Sequence, residues 1–354
     1  MKKDCDTKIK TSFIGFGKRT KLFYAPILKK LNDSFNLLGF TKKTKNNADS
    51  ISNQYNINFY DSVDILLEKT EPDLLILSVP PPEIIQILKK VKNPNCVIFV
   101  DTPFYINTDQ VSNLKILVSE QWPFLPIEQF KKLLINSGYL GETFYAENES
   151  RTFEYHGIAQ LKNYFPKDKS ISKIIGSRLS RPGEDWMFGL VKHSDNTGFL
   201  YKFSYFVKKS QFRTHQALKT YLTKGSIISG CLNEKGNDYE IFKISQELNN
   251  ETKHFTPQVT RTSQEVDNKD TSYHSGKNYL ELESISCKLH GDNIIHWNNQ
   301  FVGLKLNDQE IAIATLLKNA KDFILDKTPL KYTAKSASQD ILILNNIQQS
   351  SITN

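Results

Sequence analysis

Two glycines near the start of the chain are the first residues whose types and spacing could do chemistry. The stretch Lys8–Thr20 reads KIKTSFIGFGKRT, in which an apolar strand runs into Gly15-Phe16-Gly17 and a helix begins near Thr20. The first glycine permits a sharp turn, and the second lets the backbone approach a pyrophosphate, which the N–H groups of the following helix stabilise. Thr20 replaces the third glycine of the usual GxGxxG pattern. The turn alone therefore also fits an ordinary strand-to-helix connection.

Basic side chains lie within this turn and after the second predicted strand. Lys18 and Arg19 stand in the turn, where they would pair with phosphates or, in the competing interpretation, form exposed loop charge. Thr41, Lys42 and Lys43 follow the second strand, where NAD-specific proteins carry an acidic residue against the ribose hydroxyls. Because no carboxylate stands there, the sequence favours NADP(H), with NAD(H) as the alternative. Solvated lysines at a strand end are the competing interpretation.

Three further strand ends carry polar or conformationally restricted residues. Ser78-Val79-Pro80 and Asp101-Thr102-Pro103 end two strongly apolar strands, and Gln121-Trp122 follows a third. The carboxyl ends of parallel strands meet at one edge of a sheet, so these segments are predicted to line a cofactor cleft. A proline-rich strand exit is also ordinary loop punctuation, and Trp122 also fits a packing aromatic.

The elements that must position these residues follow a simple alternation. Apolar strands such as Phe35–Thr41, Glu71–Pro80 and Cys96–Val100 alternate with amphipathic helices. This pattern predicts a parallel α/β sheet covered on both faces, that is, a Rossmann dinucleotide-binding domain over residues 1–120. Only a short segment separates Pro103 from the next strand, Leu114–Ser119, so that crossover is predicted to contain a turn of helix or less.

The character of the sequence changes after Glu142. Strand-like stretches and turn signals then dominate, which predicts an α+β second domain, residues 121–354, with a large, mostly antiparallel sheet. The polar stretch Asn249–Lys277 is predicted to be a mobile loop. Helices are predicted at Asn307–Leu325 and Thr333–Gln349, and the last of them is allowed to pack back on the first domain.

Composition excludes several classes of protein. The 354 residues carry a net charge of +8, but the lysines are spread along the chain without a basic stripe or a DNA-binding motif, so we predict no nucleic-acid partner. No apolar run is long enough to span a membrane. The four scattered cysteines are typical of a reducing, cytoplasmic compartment and show no metal-ligand spacing. The sequence contains no GxSxG motif, so hydrolase chemistry has no support.

Taken together, these elements resemble the Gfo/Idh/MocA family. The resemblance is carried, in order, by GFGKRT, PDLLILSVP, CVIFVDTP, LINSGYLGE and YTAKSASQDILILNNIQQS. Members are mostly NAD(P)-dependent oxidoreductases, many acting on sugars, and their second domain has an open sheet that commonly packs against another subunit. The resemblance therefore implies an oxidoreductase with a small-molecule substrate that forms a homodimer or homotetramer through the open sheet. It also places Tyr155 and His156 where the family often carries a functional histidine facing the nicotinamide.

One departure from the family bears on the reaction. Its Glu-Lys-Pro motif, whose lysine commonly assists hydride transfer in sugar dehydrogenases, reads Asp101-Thr102-Pro103 here. Thr102 would approach the nicotinamide, but a hydroxyl is neither a cation nor a useful proton store near neutral pH. Relatives that reduce imines or conjugated systems also lack this lysine. The sequence therefore predicts an NADPH-dependent reductase of a small unsaturated biosynthetic intermediate, with His156 or Tyr155 delivering the proton. The alternatives are a sugar or cyclitol dehydrogenase without the lysine, and a catalytically silent nucleotide-binding or assembly subunit.

Overall fold

The chain folds as two compact units, each built from several segments. The computed structural model describes residues 8–104, 108–150, 154–167, 169–181, 184–204, 218–229, 242–266 and 279–351. The first unit comprises Met1–Phe124, Val266–Tyr279 and Leu304–Ser338, and the second comprises the intervening segments and the C-terminus. The first unit thus extends a few residues beyond the predicted boundary at residue 120 and also takes in part of the C-terminal region.

The first unit contains a six-stranded parallel sheet. Its spatial order is β3-β2-β1-β4-β5-β6, which is the dinucleotide-binding order. The strands are β1 Ile9–Ile14, β2 Phe35–Thr41, β3 Asn58–Phe59, β4 Leu74–Leu77, β5 Val97–Val100 and β6 Lys115–Val118. All four residues of β4 and of β5 are buried, because helices cover both faces of the sheet. The predicted α/β Rossmann fold is confirmed.

Helices connect these strands. A π-helical turn, Thr20–Tyr24, continues into α1, Ala25–Lys30. The later helices are α2 Ala48–Tyr55, α3 Val63–Thr70 and α4 Pro81–Leu88. Among the described residues between β5 and β6, namely 101–104 and 108–114, the helical element is the short 3₁₀ turn Thr108–Val111, as the sequence spacing predicts.

Near its C-terminal end the chain adds α7, Asp308–Asp326, to the first unit. The helix begins with a capping box: Asn307 Oδ1 accepts from the Glu310 backbone N–H at 2.9 Å, and Glu310 Oε2 accepts from the Asn307 N–H at 3.0 Å. The two bonds satisfy backbone groups that a helix start otherwise leaves unpaired. The predicted helix at 307–325 is confirmed.

The second unit contains an eight-stranded sheet in the order β14-β13-β12-β11-β7-β10-β9-β8. The strands are β7 Thr143–Ser150, β8 Ile171–Arg181, β9 Glu184–His193, β10 Gly198–Ser204, β11 Leu218–Leu222, β12 Gly225–Ser229, β13 Phe242–Leu248 and β14 Glu251–Phe255. Among the pairings described, only β7 with β10 is parallel. The predicted large, mostly antiparallel sheet is confirmed. A second sheet has three strands, β15 Gln258–Val266, β16 Tyr279–Lys288 and β17 Ile294–Asn298.

Three helices accompany these sheets, α5 Pro126–Asn136, α6 Glu154–Lys162 and α8 Ala334–Ser350. Residues of α6 and of the later part of α8 share one apolar core with the inward-facing side chains of the large sheet. Gly176 and Gly189 lie opposite each other on β8 and β9, and a Cβ at either would lie within 2.5 Å of an Ile347 atom. The paired glycines therefore let α8 approach the sheet closely.

One sequence expectation for this unit was wrong, and one helix was missed. The stretch predicted as a mobile loop, 249–277, contains the whole of β14 and β15, and its residues 267–277 lie outside the described part of the chain. Four of the five side chains of β14 are exposed, so the strand lacks the apolar alternation by which sequence reasoning finds strands. The helix α6, which contains Tyr155 and His156, was not predicted because Gly157 interrupts its pattern.

Candidate functional site

The glycine turn after β1 has the tight geometry that its sequence predicts. Gly15 has φ +85°, its N–H donates to the Thr41 carbonyl at 2.9 Å, and a Cβ built on it would lie 2.0 Å from the Ser78 carbonyl oxygen. A side chain at residue 15 is thus excluded both by backbone conformation and by space. A Cβ on exposed Gly17, by contrast, meets nothing within 4 Å, so open space lies beside its backbone. This is the room that a pyrophosphate needs, and the turn fits a dinucleotide.

Thr20 compensates for the missing third glycine. Its buried hydroxyl donates to the Gly15 carbonyl at 2.9 Å and so ties the first turn of the helix to the glycine bend. Phe16 is also buried, and its ring packs against Phe13 and Phe40. Phe16 can therefore reach a cofactor only through its backbone, while its side chain anchors the turn.

Asp101, after β5, is the centre of a hydrogen-bond network at the strand ends. Its Oδ1 accepts from the Tyr24 hydroxyl at 2.7 Å and from the Thr102 backbone N–H at 2.9 Å. Its Oδ2 accepts from the Ser78 hydroxyl at 3.1 Å, and Ser119 Oγ lies 3.1 Å from the Tyr24 oxygen. The network joins the carboxyl ends of β4, β5 and β6. With both carboxylate oxygens already accepting bonds, Asp101 is suited to fixing Thr102 rather than to abstracting a proton.

Tyr24 and Ser119 were not singled out from the sequence. The signals that point to them are a polar hydroxyl four residues after Thr20, on the same helix face, and the polar run Ser119-Glu120-Gln121 directly after an apolar strand. Tyr24 is fully buried, and burial, reinforced by the negative charge of Asp101, raises its pKa well above the ordinary value. The hydroxyl therefore keeps its proton and acts as a donor.

Arg19 is engaged within the protein. Its Nη2 donates to Gln121 Oε1, its Nε lies 3.7 Å from Asp101 Oδ1, and its guanidinium lies over the Phe23 ring at 4.5 Å. The structure therefore brings Arg19, Asp101 and Gln121 together at the strand ends. Lys18 is exposed on the same turn. A phosphate role for Arg19, which the sequence suggested, stays a prediction, and it would require the guanidinium to exchange these partners.

The lysines after β2 are arranged differently from each other. Lys42 is half-buried, and its ammonium donates to the Asn46 carbonyl at 2.7 Å. Burial and then the positive charge of Lys21 lower the pKa of Lys42. Lys43 is exposed and lies 3.7 Å from Glu83. The ammonium groups of Lys42 and Lys43 suit a phosphate, and the assignment of the 2′-phosphate to these two lysines stays a prediction.

The other candidate site residues differ in how far their side chains are exposed. Val79, Thr102 and Pro103 are half-buried, and Pro80 is exposed as the residue that precedes α4. Trp122 is buried in a 3₁₀ turn, which favours a packing role, and its backbone N–H donates to Glu120 Oε1 at 3.2 Å.

Tyr155 and His156 belong to the second unit. Both are buried on α6, with ring centroids 4.3 Å apart. One turn further along the same helix, Gln160 Oε1 accepts from Asn148 of β7 at 3.2 Å. His156 and Gln160 thus place two buried polar side chains one turn apart on α6. The catalytic role of Tyr155 and His156 stays a prediction.

Two kinds of feature are absent from the described residues. These residues contain no group of three or more His, Cys, Asp or Glu side chains placed to hold a metal ion. Within the same part of the chain, no helix has the length and apolar character required to cross a bilayer.

Comparison with known proteins identifies the family of the first domain. Residues 9–122 match the family model GFO_IDH_MocA, described as an oxidoreductase family with an NAD-binding Rossmann fold. These residues form a Gfo/Idh/MocA dinucleotide-binding domain. The match confirms, over these residues, the resemblance to an oxidoreductase family that was drawn from the sequence motifs.

Individual relatives extend the likeness beyond this domain. The chain is 24% identical over 198 residues to the uncharacterized oxidoreductase C115.03 of Schizosaccharomyces pombe, a match that covers 52% of this chain and 50% of that protein. The match thus spans half the length of that relative.

Two solved structures have the same fold over almost the whole chain. An NAD binding oxidoreductase from Klebsiella pneumoniae aligns with a TM-score of 0.67 and 9% identity, covering 98% of both chains. The UDP-N-acetylglucosamine 3-dehydrogenase GnnA from Acidithiobacillus ferrooxidans aligns with a TM-score of 0.65 and 10% identity, covering 97% of this chain and 98% of that one. At such identities, these likenesses speak for the fold alone.

Proposed function

We propose that this chain is an NADPH-dependent reductase that transfers hydride to a small unsaturated substrate, such as an imine or a conjugated system. The single observation that carries the proposal is the edge of the first sheet. There, an open glycine turn suited to a pyrophosphate ends β1, and a fixed Asp101-Thr102 turn ends β5, which lies beyond β4 in the sheet, with a neutral hydroxyl where sugar dehydrogenases carry lysine. When bound, the nicotinamide would supply the hydride.

The chain's own residues would perform the remaining tasks. Gly15, Gly17 and the N–H groups after them would hold the pyrophosphate, and Lys18 would add a positive charge. Ser78 and Thr102 would border the nicotinamide. His156 or Tyr155 would deliver the proton that complements the hydride.

The preference for NADPH is assigned to the end of β2. Lys42 and Lys43 follow that strand directly, the positive charge of Lys21 acts on Lys42, and no carboxylate stands among residues 41–44 in the sequence. Bonds from ammonium groups to a 2′-phosphate would favour NADPH over NADH, since charge-assisted hydrogen bonds are about twice as strong as neutral ones.

Isothermal titration with NADPH and NADH tests this assignment. We expect Lys42→Ala combined with Lys43→Ala to reduce the ratio of NADPH to NADH affinity by about tenfold. The matched control is Lys89→Ala with Lys92→Ala, which removes the same charge after the end of α4. An unchanged ratio in the first variant would refute the assignment, and a wild-type protein that binds neither cofactor would refute the proposed function.

A sugar or cyclitol dehydrogenase is the second candidate. It is favoured by the fold shared with UDP-N-acetylglucosamine 3-dehydrogenase, whose substrate is a nucleotide sugar by name. A turnover panel distinguishes the two: NADPH oxidation with imines and enones supports the reductase, and NADP⁺ reduction with polyols and sugars supports the dehydrogenase. Cofactor binding without turnover of either class would indicate a silent, assembly-type member.

The partner that we propose for the second unit is another copy of this chain. Large apolar side chains of β8 and β9 are exposed on one face of the sheet: Ile175 (40%), Leu179 (63%) and Leu190 (42%). Ile175 and Leu190 lie opposite each other in register, and the half-buried rings of Trp186 and Phe188 stack beside them. A monomer rarely leaves such a contiguous patch in water, and a sheet face can cover itself by two-fold pairing.

A further inference from the structure

The buried hydroxyl of Tyr24 is a polar group in the first unit that the proposed binding of a cofactor does not use directly. The Tyr24 side chain is fully buried, and its ring packs edge-on against Phe99 with centroids 5.5 Å apart. A buried hydroxyl costs free energy unless it is hydrogen-bonded, so its partners determine where it can be placed. Here the partner is Asp101 Oδ1, at 2.7 Å.

Local helix geometry brings Tyr24 to that position. It is the last residue of a π-helical turn, in which the Ala25 N–H donates to the Thr20 carbonyl five residues earlier. Such turns are rare inside helices and are frequent at functional sites, because they redirect one side chain without ending the helix. The turn lies directly after the glycine bend, so the same short segment provides both the open backbone at Gly17 and the hydroxyl of Tyr24.

Asp101 passes this constraint to the neighbouring backbone. Tyr24 and the Thr102 N–H share one carboxylate oxygen, while Ser78 holds the other, and Arg19 Nε lies 3.7 Å away and balances the charge. The carboxylate is therefore bonded from the first helix, from the end of β4 and from its own turn. Removing the Tyr24 donor would leave the orientation of Asp101, and with it the Thr102 N–H, less restricted.

We propose that Tyr24 is a positioning residue that acts through Asp101 to hold the Asp101-Thr102-Pro103 turn against the nicotinamide half of the cofactor. The inference rests on the proposed function, since it needs a nicotinamide at this sheet edge. It differs from a purely structural role in one respect: Tyr24 should affect the nicotinamide end of the ligand and not the adenosine end.

The Tyr24→Phe variant isolates the hydroxyl, because the ring that packs on Phe99 is retained. Titration calorimetry on the full-length protein compares NADPH with 2′-phospho-ADP-ribose, the same ligand without its nicotinamide. In the wild type, the dissociation constant of 2′-phospho-ADP-ribose divided by that of NADPH measures the contribution of the nicotinamide end. We expect Tyr24→Phe to reduce that ratio by about fivefold, as loss of one buried hydrogen bond would, while binding of the fragment is retained.

The controls separate this effect from misfolding and from failure of the proposed function. Tyr139→Phe removes an exposed hydroxyl that donates to Asn293 at 2.7 Å in the second unit, and it should leave both affinities unchanged. Ser119→Ala removes the hydroxyl that lies 3.1 Å from the Tyr24 oxygen, and it should lower the same ratio by a smaller factor. If Tyr24→Phe does not fold, Ser119→Ala becomes the variant that tests the positioning role.

An unchanged ratio, whether both ligands bind as in the wild type or both bind equally more weakly, would overturn the positioning role while leaving cofactor binding established. This holds for Tyr24→Phe or, where that variant does not fold, for Ser119→Ala. A wild-type protein that binds neither ligand would overturn the proposed function, and this inference with it.

Discussion

Replacing Gly15 by alanine should destabilise the first unit severely. Alanine at φ +85° has the left-handed backbone that costs about 1–2 kcal/mol for an L-residue. The new Cβ would also lie 2.0 Å from the Ser78 carbonyl oxygen, where ordinary contacts begin at 3.4 Å. The Ser78 backbone would have to move by more than an ångström, and overpacking of this kind costs about 1–3 kcal/mol. Together these terms give a loss of about 2–5 kcal/mol in the free energy of unfolding.

Gly17→Ala is the matched comparison, because a Cβ there meets nothing within 4 Å. Its free energy of unfolding should change by less than about 1 kcal/mol. The same methyl group would nevertheless occupy the space that a pyrophosphate needs, so NADPH affinity should fall by about tenfold. One substitution is thus expected to affect stability, and the other, two residues later, to affect binding.

The assay uses the placement of the three tryptophans. Trp122 lies in the first unit, and Trp186 and Trp297 lie in the second. In a Trp186→Phe, Trp297→Phe background, urea unfolding followed by fluorescence therefore reports the first unit. A Gly15→Ala free energy of unfolding within about 0.5 kcal/mol of the parent would refute the reasoning, since it would mean that the turn relaxes without cost.

Two further predictions concern the second unit. Burial lowers the pKa of His193 in the folded protein, and the charge of Asp195 only partly offsets this effect. The unfolded chain therefore binds the proton more readily than the folded protein does. The stability that neutral His193 contributes should be fully present above a pH of about 6.5 and be lost as the pH falls through the pKa of the folded protein. In His193→Gln, which can still hydrogen-bond Thr197, the urea midpoint should lose this part of its pH dependence, and an unaltered pH profile would contradict the assignment. Leu179→Asp should shift light-scattering mass toward the monomer, whereas Ile65→Asp, at an exposed apolar position of the first unit, should not; a wild-type monomer, or an unchanged mass in Leu179→Asp, would contradict the proposed pairing.

The features that could be predicted from the sequence are those that short-range rules determine. Gly15 needs its conformation because a strand must turn at once into a helix, and the apolar runs of β4 and β5 leave no alternative to a sheet buried on both faces. The cap at Asn307 is likewise a four-residue pattern. The sheet order and the group of strand ends near Asp101 follow from these local elements together with general rules of connection.

The features that escaped prediction depend on partners distant in sequence. Tyr24 is a functional candidate only because Asp101, 77 residues later, accepts a hydrogen bond from its hydroxyl. Arg19 looked available for phosphate, but Gln121, 102 residues later, accepts from it. In α6, burial against the large sheet stabilises a helix whose own sequence contains Gly157, which is the ordinary case of tertiary packing overriding propensity.

The arrangement around Asp101 also bears on the class of substrate that we propose. Hydride addition to a ketone creates an alkoxide, which needs a proton or a cation at its oxygen as the bond forms. Asp101 has both oxygens occupied by donors, and Arg19, the cation that the structure places beside it, already binds Asp101 and Gln121. An imine can instead be protonated before hydride arrives, so that reduction gives a neutral amine and requires no cation at Thr102. We therefore propose that this sheet edge suits an imine better than a ketone, and we expect Thr102→Lys to improve the turnover of ketones relative to imines.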